Sequence, residues 1–194
     1  RLFSVDSDYK ETRPQMRVVI DRLVTSDAPE AELKAAADAL ERYAERLARH
    51  PRRKLPAGFS EVANAGDVAG FFDMSPLIGL SNPMSPPIRL SVEGEEIRGS
   101  VTFGAAYEGP PGHVHGGFVA AAFDEVLGFT QSLTGNPGMT GTLTIRYRRP
   151  TPLHVALRFE ARVVRVEGRK ICTEGRVYAG ETLTAEAEGL FISV

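Results

Sequence analysis

A single cysteine, Cys172, among 194 residues leaves this chain unable to form an internal disulfide and fits a reducing compartment. Charge of one sign is missing too. The 23 lysines and arginines stand against 25 aspartates and glutamates, a formal net charge of -2, which argues against a generic nucleic-acid surface. No apolar run approaches the roughly 20 residues that a bilayer-spanning helix needs, so no integral membrane segment is expected. The opening residues, Arg1-Leu2-Phe3-Ser4-Val5-Asp6, turn acidic too soon for a secretory leader. These absences predict a cytoplasmic protein. Internal repeats and low-complexity blocks are also lacking. What is present is a 42% hydrophobic content, enough for a sizeable core in one domain with an extension.

The chain changes character near residue 85. Before it the periodicity is helical. Thr12-Arg13-Pro14-Gln15 reads as a capping box with proline in the first turn, predicting a short helix through about Val24. Asp27-Ala28-Pro29-Glu30 repeats the signal. Behind it Leu33, Ala37, Leu40, Ala44 and Leu47 recur at alternating steps of four and three, an amphipathic helix stopped near His50 by Pro51. Its apolar stripe is expected to pack on the domain or on a partner subunit. Arg52-Arg53-Lys54 leave open a second reading, a helix lying on a membrane surface. Residues 55–87 are rich in proline and glycine. Phe71, Phe72 and Met74 suit an apolar cover laid over a core, and Asn82 to Pro87 a rigid extended linker.

After residue 87 the pattern is one of strands. Ile88, Leu90 and Val92 alternate up to Glu93-Gly94, and Ile97, Val101 and Phe103 return, a hairpin. A helix follows over about Gly116–Gln131. Strands are then predicted over Met139–Arg148, Val155–Val166, Arg169–Tyr178 and Thr182–Val194, the last three joined at Glu167-Gly168 and Gly180-Glu181. Tight turns make them antiparallel. A bend within Val155–Val166 would raise the late strands from four to five. The expected class is α+β: one long central helix wrapped by a curved antiparallel sheet.

Chemistry concentrates at Gly109-Pro110-Pro111-Gly112-His113-Val114-His115-Gly116-Gly117 and the helix it opens. At a 3.6-residue period Gly117, Ala121, Asp124 and Gly128 share one face, and Val119, Phe123, Val126, Leu127 and Thr130 form the face expected on the sheet. Glu125 is expected toward solvent or a subunit contact. An acid on a buried helix is costly unless used or satisfied. The first amides of a helix lack internal partners and sit at the positive end of its dipole. At Gly116 and Gly117 they suit an oxyanion hole, worth about 3–4 kcal/mol per well-placed donor. Asp124, two turns on, suits a general base or a nucleophile. Taken alone, Gly-Gly also serves as a plain tight turn and Asp124 as an ion-pair partner, so both readings stand at this point. His113 and His115 lack a third metal ligand, and no metal is expected. Cys172 reads as a buried strand residue. Phe118, Phe123 and Phe129 read as core.

Gly109 to Asp124, together with Met139-Thr140 and Tyr147-Arg148-Arg149-Pro150-Thr151-Pro152-Leu153, resembles the hotdog-fold acyl-CoA thioesterases of the PaaI-like, thioesterase superfamily member 4 type. The shared motif is His-Gly-Gly, six residues, then Asp: here His115-Gly116-Gly117 and Asp124. The resemblance covers about residues 82–194, leaving 1–81 as a helical and irregular N-terminal extension. It implies the hotdog fold, a homodimer with two sites across its interface, often paired into tetramers, and a coenzyme A thioester as substrate with no separate cofactor. It implies Asp124 as base or nucleophile, the Gly116 or Gly117 amide on the thioester carbonyl, His115 as a positioning residue, and Thr140 supplied by the other subunit. Arg148, Arg149, Arg169 and Lys170 are candidates for the CoA phosphates, or else ordinary solvated strand ends. Residues 55–87 are predicted to cover the acyl end, with Phe71, Phe72 and Met74 capping a tunnel. The competing function is a non-catalytic hotdog module that binds an acyl group or a protein partner. Asp124 and Thr140 together weigh against it, since binding alone needs neither. A hotdog hydratase would need a catalytic Asp/His pair in a different local motif.

Overall fold

The computed structural model describes residues 7–51, 75–136 and 138–193. Helices α1 (Ser7–Thr25) and α2 (Glu30–Ala48) come first, then strands β1 (Arg89–Glu93) and β2 (Glu96–Val101) and a 3-10 turn at Ala105–Tyr107. Helix α3 (Gly116–Ser132) leads to β3 (Gly138–Tyr147), β4 (Leu157–Glu167), β5 (Lys170–Ala179) and β6 (Thr182–Ser193). The six strands form one antiparallel sheet in the order β1-β2-β4-β5-β6-β3. This is the expected α+β architecture, with four late strands; β4 stays continuous through a bulge between Val163 and Arg165. Gly168 and Gly180 open the last two hairpin loops with φ of 56° and 57°, the left-handed backbone that a two-residue loop demands.

Helix α3 lies on the inner face of the sheet. Val119, Ala122, Phe123, Val126, Leu127 and Thr130 are buried along it, as the period predicts, and Phe123 meets Phe159 of β4 edge to face at 5.4 Å. Ile97, Leu157, Ile171, Val177 and Phe191 supply the sheet side of the same core. Strand glycines let the helix come close: a Cβ on Gly175 would stand 3.1 Å from the Leu127 side chain. The outer face carries cross-strand ion pairs instead, among them Arg98 with Glu160 and Arg162 with Glu174. Such exposed pairs suit a solvated face more than they stabilise it.

The extension departs from expectation at its helix caps and in what it buries. Helix α1 begins at Ser7, so Thr12 does not cap it and Pro14 lies inside it. The second helix starts after Pro29 with no side-chain cap from Asp27. Helix α2 buries no residue, and Leu33, Leu40 and Leu47 stay exposed. Leu77 and Ile78 join the domain core, so the packed unit takes in residues ahead of 82. Phe71, Phe72 and Met74 lie outside the described residues.

Candidate active site

The Gly/Pro loop is fixed by its own backbone. The Gly109 amide donates to the His113 carbonyl at 2.9 Å, and Glu108 and Val114 pair in an isolated bridge. A Cβ on Gly109 would stand 2.7 Å from the His115 Cα, so only glycine fits there. The loop delivers His115 to the N-cap of α3 with φ -59° and ψ 131°. Its amide donates to the Tyr107 carbonyl at 2.9 Å. Its Nδ1 accepts from the Gly117 amide at 3.0 Å, which leaves the ring proton on Nε2.

This contact narrows the oxyanion reading. The resemblance leaves the role to the amide of Gly116 or of Gly117, and the Gly117 N–H is taken by His115. The Gly116 N–H, at the first position of the helix, donates to no group among the described residues. Tyr147 holds that residue in place: its hydroxyl donates to the Gly116 carbonyl at 2.8 Å. Sequence reading left Tyr147 without a role. The available signal was its place on the Leu143–Ile145 face, the face that α3 covers.

Asp124 is exposed and accepts a hydrogen bond from Thr140 Oγ1 at 2.9 Å. Both residues belong to the same chain, which corrects the expectation that Thr140 comes from another subunit. The cause is a bulge. Plain alternation puts Thr140 on the outer face with Thr142 and Thr144. The register shifts between Thr140 and Thr142, so Thr140 pairs with Phe191 while Thr142 pairs with Leu190. Phe191 is a core residue, and paired residues share a face. The extra residue, Gly141, therefore turns Thr140 inward to the helix.

Glu125 differs from expectation. It is half-buried rather than solvent-facing and accepts from Ser75 Oγ at 2.7 Å. Burial raises its carboxyl above the usual range, against the Ser75 hydrogen bond, which lowers it, and with the Asp124 charge, which adds to the rise. An acid whose folded pKa lies above its unfolded one binds more protons when folded, so stability falls as pH rises through that window. Glu125→Gln keeps an acceptor for Ser75 and is expected to raise Tm at pH 7 while leaving it unchanged near pH 4, as thermal unfolding at the two pH values would show.

The four cationic candidates do not form one patch in the chain. Arg148 is engaged by Glu186 on the outer face. Arg149 stands beside it, exposed, its amide on the Thr184 carbonyl. Arg169 donates from Nε to the Ser193 carbonyl at 2.8 Å, and Lys170 pairs with Ile192. The first two thus lie at the Tyr147 end of β6, by Thr184, and the last two at its other end, by Ile192, about 26 Å apart at 3.3 Å per strand residue. Cys172 is only half-buried, because it points to the outer face, 3.8 Å from Arg165. Among the described residues no three His, Cys, Asp or Glu side chains gather as a metal site, and no helix is long and apolar enough to cross a membrane.

A family model described as Thioesterase superfamily matches residues 111–186, the stretch holding His115, Asp124 and Thr140. Acyl-coenzyme A thioesterase THEM4 of Xenopus laevis is 34% identical over 93 residues, 47% of this chain and 42% of that protein. Its Bos taurus counterpart is 38% identical over 93 residues, 47% of this chain and 38% of that protein. This chain thus spans less than half the length of these relatives. A crystal structure described as a thioesterase superfamily protein is 34% identical, covers 97% of this chain and 92% of its own, and superposes with a TM-score of 0.87. With the wrapped helix, the His-Gly-Gly corner and this likeness over nearly the whole chain, the protein belongs to the thioesterase superfamily, with its hotdog fold.

Proposed function

We propose that the protein hydrolyses an acyl-CoA thioester to the free acid and CoA. The observation that carries this reading is the contact of Thr140 with Asp124 on an exposed helix face, two turns from a helix amide with no partner among the described residues. The names of the THEM4 relatives support the substrate class. In the reaction Asp124 takes a proton from water, which attacks the thioester carbonyl, or its carboxylate attacks first and water releases the anhydride. The developing oxyanion rests on a Gly116 amide, and the CoA thiolate leaves and takes up a proton. Single turnover in 18O-labelled water tests for the anhydride: label in Asp124 and none in the product acid shows water opening an anhydride at the Asp124 carboxyl carbon, whereas direct attack of water on the thioester puts the label in the product acid.

One helix cannot serve one thioester with both groups. Eight residues separate Gly116 from Asp124, about 12 Å along the axis at 1.5 Å per residue, while reacting atoms must come within roughly 3.5 Å. Each site therefore takes its amide from one copy and its Asp124–Thr140 pair from another, which supports a homodimer, with tetramers built from such pairs. In that pairing Arg149 of one copy and Arg169 and Lys170 of the other are the cations available to CoA phosphates. Arg148 is the weakest of the four, being held by Glu186. A cytoplasmic role in fatty acid metabolism fits this chemistry.

Thiol release from acetyl-, octanoyl-, palmitoyl- and phenylacetyl-CoA tests the reading; no release from any of them would overturn it and favour a binding module. Thr140→Ala is expected to lower kcat about 10–100-fold, the worth of a hydrogen bond to a charged group, with Thr140→Ser near wild type. Equal rates for wild type and Thr140→Ala would remove Thr140 from the mechanism.

A further inference from the structure

Helix α1 is bound to the domain by polar contacts with backbone. Arg17 donates from Nε to the Ser85 carbonyl at 2.9 Å, and from Nη2 to those of Leu80 and Asn82 at 2.7 and 2.9 Å. One helical turn later, Asp21 Oδ1 accepts from the Ala105 amide at 2.8 Å. These two attachments hold α1 across the Pro83–Pro87 segment and leave a cavity of about 460 Å³ beneath it. Its walls are largely apolar: Val18 and Ile20 of α1, Pro83, Met84 and Pro86 of the segment, and Phe118 of α3.

Arg22 and Thr102 also line the cavity but are exposed, at its rim; the polar groups of the inner wall are already occupied. The Tyr107 hydroxyl donates to the Met84 carbonyl at 2.6 Å, the Ser85 hydroxyl to the Leu77 carbonyl at 2.7 Å, and Arg17 and Asp21 hold the backbone as described. Burial pushes the Tyr107 hydroxyl up to about 12, against the lowering by Arg17, so it stays a donor. A nucleotide or a hydroxylated ring would bury polar atoms here without partners, at a cost a hydrocarbon escapes. The cavity also shares its wall with the oxyanion corner. Phe118 lies two residues beyond Gly116. Its ring meets Tyr107 edge to face at 5.0 Å, and the Tyr107 carbonyl is the acceptor for the His115 amide.

We infer that this cavity, walled on one side by the N-terminal helix, takes an aliphatic acyl chain of the thioester whose carbonyl rests on the Gly116 amide. The inference builds on the thioesterase reading and adds that α1, outside the catalytic motif, sets chain-length preference. For as long as an added methylene enters the cavity, kcat/KM rises about fourfold per carbon.

The test compares acetyl-CoA with dodecanoyl-CoA in wild type and in two variants that fill the cavity from different walls, Ala106→Phe and Val18→Trp. Val18 is half-exposed, so its variant avoids the core. The expected result is at least a tenfold fall in kcat/KM on dodecanoyl-CoA with acetyl-CoA unchanged. An unaltered chain-length profile, or an equal loss on both substrates in both variants, overturns the inference. Should wild type hydrolyse neither substrate, the thioesterase reading fails separately, and calorimetry with the non-hydrolysable dodecyl thioether of CoA judges the cavity. Affinity lost in both variants then supports it; affinity unchanged, or absent in wild type, overturns it.

Discussion

Asp124→Asn lowers kcat on the best acyl-CoA substrate by about 10²–10⁴-fold, the range for loss of a positioned acid-base group. The substitution keeps size and a partner for Thr140, and the site is exposed, so stability is expected to change by no more than about 0.5 kcal/mol. Thiol-release kinetics beside thermal unfolding separate chemistry from folding. Binding of the dodecyl thioether of CoA should survive, since Asp124 acts on the attacking atom rather than on the chain or the nucleotide. Turnover within a few-fold of wild type would remove the carboxylate from the mechanism, whatever the fold family.

Gly116 offers a substitution that deletes a single N–H. Proline is well accepted at the first helical position, where the amide has no intrahelical partner. It also asks the preceding residue for an extended backbone, which His115 has at ψ 131°. Gly116→Pro should therefore fold as wild type and lose about 10²–10³ in kcat, the loss found on removing one oxyanion donor. Gly116→Ala is the control: its Cβ meets Tyr147 at 3.5 Å, an ordinary contact, and the amide remains. Mixing the two inactive proteins then reports on the shared site. A mixed dimer of Asp124→Asn and Gly116→Pro chains holds one intact site of two, so random re-pairing restores up to about a quarter of wild-type activity if the dimer is two-fold symmetric. No recovery after verified exchange would place both groups of a site in one chain.

Much of this arrangement is written in local pattern. The buried face of α3, the four late strands and their tight turns follow from periodicity and from glycine at hairpin positions, both short-range properties. The His-Gly-Gly corner and Asp124 stand out for the same reason. What escaped is what depends on three dimensions. A single extra residue at Gly141 moved Thr140 across the sheet, and alternation carries no sign of a bulge in advance. Gly117 lost its amide to a side chain two residues back. Tyr147 found the Gly116 carbonyl from 31 positions away. The cations separated because the eight residues of extended strand from Thr184 to Ile192 hold their two ends apart. Arg17 and Asp21 gave no signal because their partners are backbone atoms in another segment, and a carbonyl looks alike under every side chain.

That last property of Arg17 reaches beyond stability. Its acceptors include the carbonyls of Leu80, Asn82 and Ser85, so the dock between helix and segment is indifferent to which residue occupies position 80, while at 82 the side chain has its own task, accepting from the Met84 amide at 2.9 Å. Met84, between two of those anchors, faces the cavity and is free to vary in size without loosening the attachment. The roof of the cavity can thus drift in sequence, and the molecule's preference among substrates with it, while the helix above and the reacting groups below stay where they are.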